Sequence, residues 1–222
     1  NAEQSLYDLT THGQIRSGPK SFDNILSETV SIAEKAYKKN SESVGMKTGL
    51  SDFDKKIGGL HNSDLIIIAG RPSMGKTALA LNIAEHTALA DNNPVAVFSL
   101  EMSAEQLAFR LISSLGRVNQ TSLKSGKLKD KDWDRIDGAI LQMKEMPIYI
   151  DDTPSLTPVE LRARARRIQR EKGLSLIVID YLQLMQVPGS KENRATEISE
   201  ISRNLKSLAR ELSIPIIALS QL

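Results

Sequence analysis

Gly70-Arg71-Pro72-Ser73-Met74-Gly75-Lys76-Thr77 spells the pattern G-x-x-x-x-G-K-[ST]. It lies between an apolar run, Asp64 to Ala69, and a stretch of helical character, Lys76 to Ala90. Strand, glycine loop and helix start is the arrangement in which backbone N–H groups converge on phosphate at a helix N-terminus. The glycines let the chain turn without a Cβ. The lysine neutralises β- and γ-phosphate oxygens, and the threonine hydroxyl is a ligand for Mg²⁺. All eight residues, Gly70, Arg71, Pro72, Ser73, Met74, Gly75, Lys76 and Thr77, are therefore candidates for binding ATP with Mg²⁺. The plainer alternative is a glycine-rich turn ahead of a core helix.

The flanking sequence repeats this alternation. Short runs rich in Ile and Val stand at 65–69, 95–99, 148–150, 175–180 and 214–219, and helix-length segments at 76–90, 103–115, 131–145, 157–171 and 194–212. Apolar strands separated by helices predict an α/β fold with a mostly parallel sheet covered on both faces. Ahead of it, Ala2 to Thr10 reads as a short amphipathic helix, His12 to Lys20 as a linker, and Ser21 to Lys39 as a helix. In the second helix Ser21 is a candidate N-cap, and Ile25, Leu26, Val30, Ala33 and Tyr37 form one face. The expected organisation is a linker region, 1–20, and an ATPase domain, 21–222. A chain of 222 residues that starts at Asn1 and stops just after a buried strand is expected to be a piece of a longer protein. Its 40% hydrophobic and 25% charged residues are those of a globular domain. A net charge of +2 confines nucleic-acid contact to a local patch. With no cysteine there are no disulfides or thiolate metal sites, which fits a cytoplasmic location, and no apolar run is long enough for a membrane span.

Three polar residues close apolar strands where a parallel sheet gathers its ligands. Glu101 follows Pro94 to Leu100, and a carboxylate there could activate the water that attacks a γ-phosphate, or simply begin the next helix. Asp180 ends Leu176-Ile177-Val178-Ile179 in the Walker-B pattern, which suits Mg²⁺, or a turn. Gln221 follows the strand Ile214 to Leu219 and Ser220, where an amide could sense a γ-phosphate, or merely leave the sheet. The segment Val187 to Thr196 carries Lys191 and Arg194 and could grip a phosphate backbone, although it lacks an aromatic residue for stacking. The basic run Arg162 to Lys172 reads as a solvated helix face, with Leu161, Ala165 and Ile168 turned to the sheet. His12, His61 and His86 have no metal-ligand spacing.

Taken together, these segments resemble the C-terminal motor domain of bacterial replicative DNA helicases of the DnaB family, which has a RecA-like P-loop NTPase core. The resemblance spans almost the whole chain. It rests on Thr48-Gly49-Leu50 with Asp54, Gly58-Gly59-Leu60, the Arg-Pro-Ser-Met phosphate loop, Phe98 to Ser103, Ile179 to Leu184, Glu197 to Ser202 with Leu205-Lys206, and Ala218 to Leu222. It implies a hexameric motor that couples ATP hydrolysis to movement on single-stranded DNA. Glu101 would be the catalytic glutamate, Asp180 the Mg²⁺ aspartate, Gln221 the γ-phosphate sensor, and Lys191 and Arg194 part of a DNA loop. It further implies that Ala2 to Thr10 docks on a neighbouring subunit, and that primase and a helicase loader are partners through other regions. The family's arginine finger and second DNA loop would lie beyond Leu222. Ser63 departs from the glycine usual at that turn. A RecA-type recombinase, and a nucleotide-gated assembly module without motor activity, are the competing readings.

Overall fold

The computed structural model of the protein describes residues 21–39, 45–90, 92–186 and 193–222. The sequence readings at Ala2–Thr10, His12–Lys20 and Lys191 lie outside these residues. The chain divides into two compact units between Glu42 and Ser43. In the first, helix α1 (Phe22–Lys39) follows Ser21, whose carbonyl accepts from Ile25 N at 3.3 Å. Its residues Ile25, Leu26 and Val30 are exposed.

The second unit is a five-stranded sheet: β1 (Leu65–Gly70), β2 (Val95–Ser99), β3 (Ile148–Asp151), β4 (Leu176–Asp180) and β5 (Ile216–Gln221). The strands lie in the order β1-β5-β4-β2-β3 and all their pairings are parallel. Its described helices are α2 (Ser51–Ile57), α3 (Lys76–Ala90), α4 (Ala104–Gly116), α5 (Gln120–Ser125), α6 (Asp130–Glu145), α7 (Pro158–Lys172) and α8 (Arg194–Leu212), with a 3-10 turn at Leu182–Leu184.

Side chains alternate across a strand, so each central strand supplies both faces of the sheet. From β4, Leu176 and Val178 pack with Ala80, Ile83 and Ala84 of α3. Ile177 and Ile179 pack with Leu161 and Ala165 of α7 and Ile201, Leu205 and Leu208 of α8. That two-sided burial is why β2 and β4 are apolar at every position until the polar residue at the C-terminal end. Truncating a side chain such as Phe98, fully buried, costs about 3–5 kcal/mol in comparable cores.

The expected sheet and its principal helices are present, with α8 at 194–212 as read from sequence. The last strand differs. Ser213 turns the chain in the left-handed region and Pro215 has no N–H to donate, so β5 begins at Ile216 and continues through Gln221, which pairs with Gly70. Gln221 is thus the final residue of the strand, not a residue beyond it. The arginine-rich helix packs Leu161 and Ala165 inward, while Arg162 and Arg166 both pair with Glu211 of α8 and Arg164 pairs with Asp151. Among the described residues no helix is long and apolar enough to cross a membrane.

The N-terminal edge of this unit is fixed by polar contacts. Thr48 donates its N–H and hydroxyl to the buried carboxylate of Asp54 at 3.0 and 2.7 Å. Gly49 lies against His86, where a Cβ would come within 2.6 Å of the ring. These contacts give the Thr-Gly-Leu and Asp54 pattern a structural role. Ser63 has φ 69°, the left-handed backbone that favours glycine.

Candidate active site

β1, β2, β4 and β5 end at the same edge of the sheet, and a cleft of about 430 Å³ opens there. Gly75, Lys76, Thr77, Glu101, Arg110, Asp180 and Gln221 are among the residues that line it. Residues far apart in sequence meet because parallel strands deliver all their C-termini to one edge.

The phosphate loop leaves β1 and enters α3. Ser73 (φ 61°) and Gly75 (φ 85°) both take left-handed backbone, which turns the chain tightly before the helix. No atom lies within 4 Å of a Cβ built on Gly75, so its requirement is conformational and not steric. Met74 is 74% exposed, and Arg71, Pro72 and Ser73 are exposed as well, as suits a loop that must receive a ligand. Lys76 Nζ donates to the carbonyls of Gly70 and Arg71 at 2.8 and 2.9 Å. Its charge is thereby held over the loop.

Thr77 Oγ1 donates to Asp180 Oδ2 at 2.8 Å. Asp180 is 3% exposed, and burial raises its pKa above the ordinary carboxylate value. The Thr77 hydrogen bond lowers it, nearby Glu101 raises it further, and Arg110 and Lys76 pull it down. A buried carboxylate with its affinity for protons raised and a hydroxyl against it is a fitting place for a cation. Among the described residues no cluster of three His, Cys, Asp or Glu could hold a metal alone. Mg²⁺ takes few protein ligands and completes its shell with phosphate oxygens and water.

Glu101 is exposed and lines the cleft, on a turn held by its neighbours' hydrogen bonds. Leu100 N donates to Asp180 O at 2.7 Å. Buried Ser99 donates its hydroxyl to Met102 O at 2.7 Å and accepts from Met102 N at 3.2 Å. Ser103 caps α4, with Gln106 completing a capping box, and Asp152 Oδ2 accepts from Ala104 N at 2.8 Å.

Of the residues read from sequence, Lys76, Thr77, Glu101, Asp180 and Gln221 meet in this cleft. Arg194 does not line it. Its guanidinium is engaged by the Glu197 carboxylate and the Gln183 carbonyl. The sequence reading missed Arg110, which lines the cleft with a buried Nε that has no hydrogen-bond partner. The available signal was that Arg110 is the single basic residue of α4, the helix that starts beside Glu101.

The model of the DnaB-like helicase C-terminal domain matches residues 45–222. The chain is 54% identical over 209 residues to replicative DNA helicase DnaB of Buchnera aphidicola subsp. Schizaphis graminum, covering 93% of this chain and 45% of that protein. It is 50% identical over 204 residues to replicative DNA helicase DnaB of Geobacillus stearothermophilus, covering 91% and 45%. The chain therefore spans about half the length of the curated relatives it matches. Among solved structures it resembles one described as an ATPase domain, with a TM-score of 0.85 and 32% identity over 92% of this chain and 72% of that one. It also resembles a DnaB-like replicative helicase described with its interactions with primase, with a TM-score of 0.81 and 31% identity over 100% of this chain and 52% of that one. By sequence along most of its length and by fold, this chain belongs to the DnaB-like helicase C-terminal domain family.

Proposed function

We propose that this chain is the ATPase motor of a replicative DNA helicase, coupling hydrolysis of Mg-ATP to translocation on single-stranded DNA and to duplex unwinding. The observation that carries this reading is the meeting of Lys76, Thr77, Glu101, Asp180 and Gln221 in one cleft of a DnaB-family domain. Neither a recombinase nor a passive nucleotide-gated assembly module draws support from the relatives.

ATP lies with its phosphates along residues 70–77, where the start of α3 presents backbone N–H groups. Lys76 exchanges its contacts with the Gly70 and Arg71 carbonyls for β- and γ-phosphate oxygens. Thr77 and Asp180 hold Mg²⁺, which when bound neutralises charge on the phosphate oxygens. Glu101 orients a water in line with the γ-phosphorus and accepts its proton as the P–O bond to ADP breaks. Gln221 donates from its amide to the γ-phosphate and registers its departure. Arg110 adds a second protein cation facing the phosphates.

Lys191 and Arg194 contact the DNA backbone, Arg194 by trading Glu197 and the Gln183 carbonyl for a phosphate. Assembly is a homohexameric ring in which the segment 2–10 docks on the neighbouring subunit. Primase and a loader engage other regions, and the motor acts in the cytoplasm. ATP hydrolysis with and without single-stranded DNA tests this reading. Strong stimulation is expected, and turnover indifferent to DNA contradicts a motor.

A further inference from the structure

β4 and β5 stay paired only as far as Ile179 and Ala218. Beyond that point the chain leaves β4 at Asp180 and enters the 3-10 turn, while β5 runs on to Gln221. The backbone groups of β5 on that side lose their ladder partner at Ser220, which is half-buried, and Gln221, which is exposed. The Gln183 side chain fills the gap with an amide of the same chemistry as a peptide group. Its Nε2 donates to Ser220 Oγ and to Gln221 O, both at 2.9 Å, and its Oε1 accepts from Gln221 N at 3.2 Å. The main-chain carbonyl of the same residue accepts from Arg194, the first residue of α8.

We propose that Gln183 is a positioning residue that couples the nucleotide-facing end of β5 to the start of α8. Its side chain grips Gln221 and its carbonyl grips Arg194. The inference rests on the motor reading above, in which Gln221 meets the γ-phosphate and Arg194 meets DNA. Arg194 has two alternatives, the Gln183 carbonyl with Glu197 or a DNA phosphate. Loss of the first frees the turn that holds the backbone of Gln221. The coupling is reciprocal, as any linkage between two binding sites must be. Gln183 is not among the residues that line the cleft, whereas its hydrogen-bond partner Gln221 is.

The test compares wild type with Gln183→Met in the protein as its gene encodes it. Methionine keeps the length of the side chain and removes its donors and acceptor. Nucleotide affinity and the rate without DNA are expected to stay within about threefold of wild type. The stimulation by single-stranded DNA, taken as a ratio of rates, is expected to fall by about tenfold, within the usual span of coupling between sites. Ser220→Ala removes one of the three hydrogen bonds and is expected to give an intermediate ratio. Should Gln183→Met fail to fold, the ratio for Ser220→Ala decides: a reduced ratio supports the coupling, and an unchanged one overturns it. A uniform loss of rate with the ratio preserved marks a merely structural glutamine and also overturns the inference. If wild type itself ignores DNA, the motor reading fails and this inference falls with it.

Discussion

Thr77 Oγ1 and Asp180 Oδ2 lie 2.8 Å apart across 103 positions of sequence, one at the start of α3 and the other at the end of β4. Without a cation this hydrogen bond is the direct side-chain partner of a carboxylate that burial and Glu101 both press toward protonation. A native pKa above the unfolded value means that the native state binds more protons. Stability without metal then falls as pH rises from the ordinary carboxylate range through the raised native value, and the cost is complete above it.

Asp180→Asn keeps an oxygen for Thr77 and removes the charge. The metal-free variant is expected to be more stable than wild type at neutral pH by on the order of 1 kcal/mol. The two should converge as pH falls toward the unfolded carboxylate pKa. The same substitution is expected to abolish the Mg²⁺ dependence of ATP binding. Thermal melts across pH, compared between the two proteins, cancel the parallel contribution of Glu85, whose pKa burial also raises.

Ser99 closes β2 two residues before Glu101, with its hydroxyl bonded twice to Met102. Ser99→Ala is expected to cost about 1 kcal/mol in stability. It should lower kcat by about tenfold or more through displacement of Glu101. ATP affinity is expected to stay nearly constant, because the phosphate loop is untouched. Single-turnover hydrolysis beside equilibrium binding separates the two effects.

Arg110→Met retains an unbranched side chain in α4 and removes the charge that faces the cleft. Affinity for ATP is expected to fall about tenfold, corresponding to about 1.4 kcal/mol. Adenosine, which carries no phosphate, should bind as it does to wild type. Calorimetric titration with both ligands checks the claim, and an equal loss for both would place Arg110 elsewhere.

Ser63 is a serine in left-handed backbone, at a turn where the resemblance leads one to expect glycine. Ser63→Gly is expected to raise stability by about 0.5–1 kcal/mol, the steric relief exceeding the added freedom of the unfolded chain. Denaturant unfolding of the two proteins reads this directly.

Much of the sheet was legible because strands buried on both faces are apolar at every position, and Asp180 and Glu101 stand out by interrupting such runs. The short helices α2 and α5 were not read, since 7 and 6 residues display too little of a helical period to distinguish them from turns. The limits of β5 were misplaced because the apolar run begins at Ile214, whereas pairing starts only beyond Pro215. Arg110 and Gln183 owe their importance to neighbours distant in sequence. A lone arginine in a helix, or a glutamine after Leu182, carries no local pattern that announces a cleft or a broken ladder. Arg194 was legible as a basic residue in a polar loop, but its engagement with Glu197 and the Gln183 carbonyl depends on the fold.

In the proposed mechanism Glu101 activates the water that hydrolyses ATP held by Lys76, Thr77 and Asp180. The most direct measurement is single-turnover hydrolysis by Glu101→Gln, with ATP binding measured on the same preparation. Binding is expected to stay within a fewfold of wild type and the hydrolysis rate to fall by about a hundredfold or more, the range of general-base loss. Hydrolysis at the wild-type rate with binding intact would contradict it.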